Sequence, residues 1–152
     1  MTPSMTTRPA AAGDKARIRQ LYEAALRHHI EIIWGWDDAW QQAYFDKAFL
    51  DLSTRVIEVD GRFAGYLQVD HGNDEDYLSM LVLDAGFRSE GVGARLLAAI
   101  QAESGHAGRG IYLRVFRTNA AARRFYEREG WMLVGDEGDF LVMRPGVCVS
   151  VA

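Results

Sequence analysis

The chain has 152 residues, of which 49% are hydrophobic and 25% charged, and its net charge is −4 at neutral pH. That length fits one compact domain, and the composition excludes a disordered tail, a collagen-like chain and a coiled coil. No apolar run approaches the roughly 18–20 residues of a membrane span, and residues 1–12 lack the basic-then-apolar pattern of a secretory signal.

Residues 6–10 read as a short first strand. Asp14 can cap a helix whose apolar positions Ile18, Leu21, Tyr22, Ala25 and Leu26 recur at helical spacing. The pattern reaches Ile30 and Ile33 and stops at Trp34-Gly35-Trp36. Asp37 or Asp38 then caps a second helix through Trp40, Tyr44 and Ala48 to about Phe49. Residues 54–59 are β-branched and extended, Asp60-Gly61 is a two-residue hairpin turn, and residues 62–69 return. A polar loop over 70–75 leads into the most apolar strand, 77–83. Val92, Leu96, Leu97 and Ile100 mark a helix ending near Ser104-Gly105, and Ile111, Leu113 and Val115 alternate as a strand. A last helix runs from about Asn119 to Gly130, and residues 131–134 and 140–143 form a hairpin around 135–138. The order β-αα-βββ-α-β-α-ββ predicts an α/β fold (α+β in character) on a mixed sheet. It is not a doubly wound one, because hairpins interrupt the alternation.

Charge is unevenly spread. Residues 1–76 carry 8 Lys/Arg against 13 Asp/Glu, whereas residues 88–128 carry eight arginines against three acids. A basic field beside an acidic half suits a phosphate-bearing ligand together with a cationic one, or else marks solvated helix faces. The net acidity argues against nucleic-acid binding, whose affinity comes mostly from neutralising phosphates. The single cysteine, Cys148, can make no internal disulfide and offers no metal-ligand spacing. A reducing cytoplasm suits it, and no metal is implied.

The most informative segment joins the apolar strand to a helix: Leu81-Val82-Leu83-Asp84-Ala85-Gly86-Phe87-Arg88-Ser89-Glu90-Gly91-Val92-Gly93-Ala94. Glycines 91 and 93 let the N–H groups of a first helical turn approach a phosphate, and Arg88 adds positive charge. A Walker loop needs Lys-Ser/Thr where Ala94-Arg95 stand, and a Rossmann turn needs a third glycine where Leu96 stands. Downstream, Asn119-Ala120-Ala121-Ala122-Arg123-Arg124-Phe125-Tyr126-Glu127-Arg128-Glu129-Gly130-Trp131 places Ala122 and Tyr126 on one helix face. Asn119 starts that helix, and Gly130 suits a left-handed cap.

Arg88-Ser89-Glu90-Gly91-Val92-Gly93 resembles the Arg/Gln-x-x-Gly-x-Gly/Ala signature of the GNAT N-acetyltransferase superfamily. The segment from Asn119 resembles its second signature, Asn-x-x-Ala-x-x-x-Tyr-x-x-x-Gly-Phe/Trp, and the two together cover about a third of the chain. The resemblance, to bacterial-type members, implies one N-acetyltransferase domain over 1–152, with a core over about 6–145 and a tail over 146–152. It implies that Arg88, Ser89, Glu90, Gly91, Val92, Gly93 and Ala94 hold the pyrophosphate of acetyl-CoA. Leu81, Val82 and Leu83 would pair with the pantetheine arm, Asn119 and Ala122 would border the cofactor, and Tyr126 would protonate the departing thiolate. Acetyl-CoA is then the cofactor, coenzyme A the product, and a small-molecule or peptide amine the acceptor that attacks directly. Acetylation of a protein N-terminus or lysine is one alternative, and a non-catalytic acyl-CoA-binding regulatory module is another. Neither nucleic acid nor membrane is an expected partner, and a homodimer is left open.

An alkylamine of pKa about 10.4 is almost wholly protonated at neutral pH, so a proton acceptor is needed. Family members place a glutamate five residues before the asparagine, or near the start of the strand that precedes the loop. Here those positions hold Arg114 and Tyr77, with Asp76 adjacent. In the family the first two helices wall the acceptor site, and the corresponding segment carries His28, His29, Glu31, Trp34, Trp36 and Trp40. Glu31 is expected as a catalytic carboxylate, and His28, Glu31, Trp34 and Trp36 as the acceptor-binding set, through charge and cation–π contacts. Alternatively, Trp34, Trp36 and Trp40 simply fill the space between helices and sheet.

Overall fold

In chain order the elements are β1 (Met5–Pro9), α1 (Lys15–Ile33), α2 (Asp38–Asp51), β2 (Ser53–Val59), β3 (Arg62–His71), β4 (Glu75–Leu83), α3 (Val92–His106), β5 (Gly110–Phe116), α4 (Ala120–Arg128), β6 (Trp131–Glu137) and β7 (Phe140–Pro145). This computed structural model describes residues 3–88 and 90–146, so Ser89 and Cys148 lie outside the described residues. The element order is the expected one, on a mixed sheet. Seven strands join as β1-β2-β3-β4-β5-β7-β6. Among the described residues only β4 and β5 run parallel, linked through α3; every other neighbouring pair is antiparallel. Among the described residues no helix is long and apolar enough to cross a membrane.

Period-two alternation divides the apolar side chains between two layers. On one face Ile57, Leu67, Leu78, Leu113 and Met143 pack with Val92, Leu96, Leu97 and Ile100 of α3 and with Phe125 of α4. On the other, Val56, Tyr66 and Val82 pack with Ile18 and Tyr22 of α1 and Phe45 of α2. Each fully buried aliphatic side chain in these layers is worth about 2 kcal/mol relative to exposure.

Three local expectations change. Asp14 does not cap α1. It closes a 3-10 turn over Ala12–Asp14, accepting from the Ala11 N–H at 2.8 Å, and pairs with Arg8 at 2.8 Å. That guanidinium and the Ala11 N–H lower its pKa to about 2. The polar stretch 70–75 is strand at both ends, since Asp70 pairs with Tyr77 and His71 with Asp76, and only residues 72–74 form the turn. Strand pairing is a backbone property, so it outruns the apolar pattern that marks it in sequence. For the same reason β6 and β7 run past Gly135 to Glu137 and back from Phe140.

Asp76 and Tyr77 are adjacent on β4 and point to opposite faces. Asp76 is 1% exposed beneath α3. It accepts from Ser104 Oγ at 2.6 Å and Arg109 Nε at 2.7 Å, and lies 3.0 Å from His71 Nδ1. Burial alone would raise its pKa, but these three hydrogen bonds outweigh burial and hold it below the ordinary carboxylate value.

Replacing Asp76 by Asn keeps the shape and removes the charge. The expected loss of unfolding free energy at neutral pH is about 3 kcal/mol, as when one partner of a buried ion pair is deleted. Because the folded-state pKa is depressed, the stabilisation is present above the ordinary carboxylate pKa and is lost as pH falls through the lowered one. Urea melts from neutral pH into acid should show a shallower acid limb for Asp76→Asn than for wild type. Parallel limbs would show that Asp76 contributes nothing through its charge.

Candidate active site

β4 and β5 pair only through residues 75–78 and 110–113. At that point the β3–β4 register slips between Gln68↔Met80 and Val69↔Leu78, leaving Ser79 as the extra residue of a bulge. A bulge bends its strand and interrupts the ladder. Beyond it β4 stays with β3 as far as Leu83, and β5 stays with β7 as far as Phe116. The wedge between them opens into a cavity of about 300 Å³.

Residues 79–82 of β4 and 114–116 of β5 all line this cavity. Consecutive side chains of a strand point to opposite faces, so they can share one cavity only at an open edge. The same opening brings together residues from the two layers. Tyr22, Trp40 and Tyr44 reach it from α1 and α2, and Ala122 and Tyr126 reach it from α4.

One side of the cavity suits an extended, phosphate-bearing chain. The edge of β4 over residues 79–83 has no β5 neighbour, so its outward backbone donors and acceptors are available to a ligand. At the end of β4, Arg88 Nε donates to the Leu83 carbonyl at 3.1 Å, and Glu90 is exposed. Gly91 is the N-cap of α3 at φ +77° and, as glycine, makes no side-chain cap of its own. A Cβ on Gly91 would meet nothing within 4 Å, so glycine serves the left-handed backbone there. Gly93 is the opposite case: its Cβ would lie 3.2 Å from Phe125 Cζ, so glycine there lets α3 and α4 approach. Val92 is fully buried and Ala94 half-buried, so Val92 presents only its backbone to the loop. The first-turn N–H groups of α3 lack intrahelical partners and carry the positive end of the helix dipole. These groups fit the pantetheine and pyrophosphate of acetyl-CoA.

Asn119 N-caps α4, its Oδ1 accepting from the Ala122 N–H at 3.1 Å, which leaves its NH2 group as the donor at the cavity wall. Ala122 and Tyr126 follow on one face of α4, both half-buried. Burial, with Tyr77 close by, raises the Tyr126 pKa, so the phenol stays protonated across the neutral range.

The other side of the cavity is aromatic. Trp34 packs against Phe116 at 5.7 Å and Phe140 at 5.8 Å between ring centroids, and Trp40 stacks on Tyr44 at 5.3 Å. Tyr77 stacks on Tyr112 at 4.9 Å and accepts from Arg114 Nε at 3.2 Å. The Arg114 guanidinium lies 5.3 Å from the Tyr77 ring and 4.8 Å from the Phe140 ring. Among the described residues lining the cavity, Arg114 carries the only formal charge.

Of the four residues singled out for the acceptor, the structure brings Trp34 to the cavity and leaves the other three outside its lining. Glu31 is exposed and paired with Arg27 at 2.7 Å. One residue is 100° of helix, so with Ile30 facing the cavity Glu31 turns towards solvent. His28 is exposed beside His29, which instead stacks on Phe116 and lies 2.7 Å from Thr118 Oγ1. Trp36 packs on Tyr22 and beneath Arg27, its N–H donating to Asp38 at 2.6 Å. Trp40, Tyr44 and Tyr77 were not singled out as site residues, yet they line the cavity. The i, i+4 spacing of Trp40 and Tyr44 was the available signal.

Residues 16–131 match the family model described as Acetyltransferase (GNAT) family. No curated protein matches the sequence. Among solved structures, PaiA N-acetyltransferase from Thermoplasma acidophilum, in complex with coenzyme A, is similar with a TM-score of 0.74 at 15% identity, covering 95% of this chain and 99% of that one. YncA from Salmonella typhimurium, with its cofactor acetyl-CoA, has a TM-score of 0.63 at 21% identity, covering 97% and 96%. An N-acetyltransferase from Staphylococcus aureus Mu50 has a TM-score of 0.69 at 16% identity, covering 91% and 98%. These likenesses show the fold, and the family match spans most of the chain: it belongs to the acetyltransferase (GNAT) family, enzymes that transfer an acetyl group from acetyl-CoA to an amine.

Proposed function

We propose that the chain acetylates a small-molecule amine in the wedge between β4 and β5, with acetyl-CoA held on the β4 and α3 side. The observation that carries this reading is the single cavity in which the open edge of β4, Asn119, Ala122 and Tyr126 meet an aromatic wall. In this reading Leu81, Val82 and Leu83 offer backbone groups to the pantetheine arm, and Arg88 with residues 89–94 holds the pyrophosphate. When bound, acetyl-CoA supplies a thioester carbonyl open to direct attack by an amine. Tyr126 remains protonated and donates to the sulfur as it becomes a thiolate. A free thiol of pKa about 8.5 is the stronger acid of the two in water, so the transfer depends on the phenol being held in contact and the sulfur being desolvated with it. Trp34, Trp40, Tyr44, Tyr77, Phe116 and Phe140 form the acceptor wall. Rings from several elements on one side of a cavity favour a small acceptor over a protein chain. No carboxylate stands among the described lining residues, so the acceptor reaches the carbonyl as the neutral amine and loses its proton to water.

Four results are expected. Gly91→Ala places a side chain on a left-handed residue in open space, so it should weaken acetyl-CoA binding by calorimetry while the thermal melt falls only slightly. Gly93→Ala should lower the melt through Phe125. Wild-type affinity in Gly91→Ala would remove the pyrophosphate from this loop. Tyr126→Phe should cut turnover by about 10²-fold, the lower range for a lost general acid, with acetyl-CoA affinity close to wild type. Wild-type turnover would make Tyr126 a packing residue. Across acceptors of different basicity, the ascending limb of kcat/KM with pH should move with the pKa of each amine. A limb fixed at one pH for all of them would reveal a protein base.

A further inference from the structure

Arg114 stands where other family members carry a proton-accepting glutamate, and its surroundings give the charge a use. Its Nε partner is the neutral phenol of Tyr77. Its carboxylate contact, Glu137, is 3.5 Å away between two side chains that are 36% and 55% exposed, an ion pair of little worth. The guanidinium lies close to the rings of Tyr77 and Phe140, which restrict its plane, and it has five N–H donors of which these contacts use two. A bare cationic amine entering this cavity meets a like charge with no acid in the described lining to offset it. An amine that also bears a carboxylate can place that group on the guanidinium and its apolar body against Trp34, Phe116 and Phe140.

We infer that the acceptor is an amino acid or close relative: an amine and a carboxylate on one apolar frame, with Arg114 binding the carboxylate. This rests on the reading of the wedge as the acetyl-transfer site. It makes Arg114 a specificity residue, and the positive charge there has a second consequence. By compensating the carboxylate, it removes the charge that keeps the neighbouring ammonium protonated, which eases entry of the neutral amine.

The test uses matched pairs that differ only in the carboxylate: L-leucine with 3-methylbutylamine, L-phenylalanine with phenethylamine, and L-tryptophan with tryptamine and with its methyl ester. Binding is measured by calorimetry on the full chain saturated with coenzyme A, and thiol release from acetyl-CoA is measured in parallel. In at least one pair the carboxylate-bearing member should bind about 10-fold tighter or more, the worth of one hydrogen-bonded charge. Arg114→Gln should erase that ratio, and Arg114→Lys should retain part of it, with coenzyme A titration as the control for folding. Equal or tighter binding of the decarboxylated members, or of the methyl ester, overturns the inference, as does a carboxylate preference that survives in Arg114→Gln. Thiol release with the decarboxylated amines alone would likewise sink it and leave acetyl transfer standing. Arg114-dependent carboxylate binding without thiol release would support it and remove acetyl transfer instead.

Discussion

The parting of β4 from β5 is the constraint on which the site depends. The two strands share only four residue pairs before the bulge at Ser79 turns β4 aside. A continuous sheet is a wall, and residues on its two faces cannot line one cavity. Once the ladder is interrupted, α1 and α2 on one face and α4 on the other contribute to the same space. The interruption also leaves backbone donors and acceptors unpaired on β4. In a protein interior that is costly, so an open edge beside a cavity is best explained by a ligand that pairs with it.

Stability for this broken sheet comes from elsewhere. β2, β3 and the paired part of β4 carry Ile57, Val59, Leu67, Val69 and Leu78 of the core, and Val92, Leu96, Leu97 and Ile100 of α3 seal them from one face. Asp76, just before the point of divergence, ties β4 to Ser104 of α3 and to Arg109, which follows that helix. Its polar cluster clamps the base of the wedge on the face opposite Tyr77. The two halves of β4 thus differ in surroundings: the paired half is tied into the sheet and the parted half borders the cavity.

Electrostatics separates the cavity from the rest of the molecule. The chain is acidic overall, and most acids on α1 and α2 are engaged with nearby bases on the surface, Glu31 with Arg27 and Asp46 with Lys15 among them. The cavity inverts that balance, holding aromatic rings, several phenols and one arginine. Burial raises the pKa of Tyr22, Tyr44 and Tyr126, so none of these phenols is an anion near neutral pH. Among its described lining residues the cavity thus presents neutral phenols and one cation, and no carboxylate.

Much of this was legible in the sequence because it is local. Helical and alternating periodicity marked the elements, glycine spacing marked the turn into α3, and Asn119, Ala122 and Tyr126 were in register along one helix face. Which side chains of α1 and α2 face the cavity was not legible, since Glu31 and Ile30 are neighbours in sequence and point a third of a turn apart. Nor could spacing tell the two loop glycines apart, because only the approach of Phe125 shows that Gly93 serves packing. The bulge at Ser79 has no sequence mark at all: it is a mismatch between the registers of two strands and exists only once they pair. Local propensity and motif spacing determined the elements and the family. Tertiary pairing decided where the sheet opens, and with that which residues meet across it.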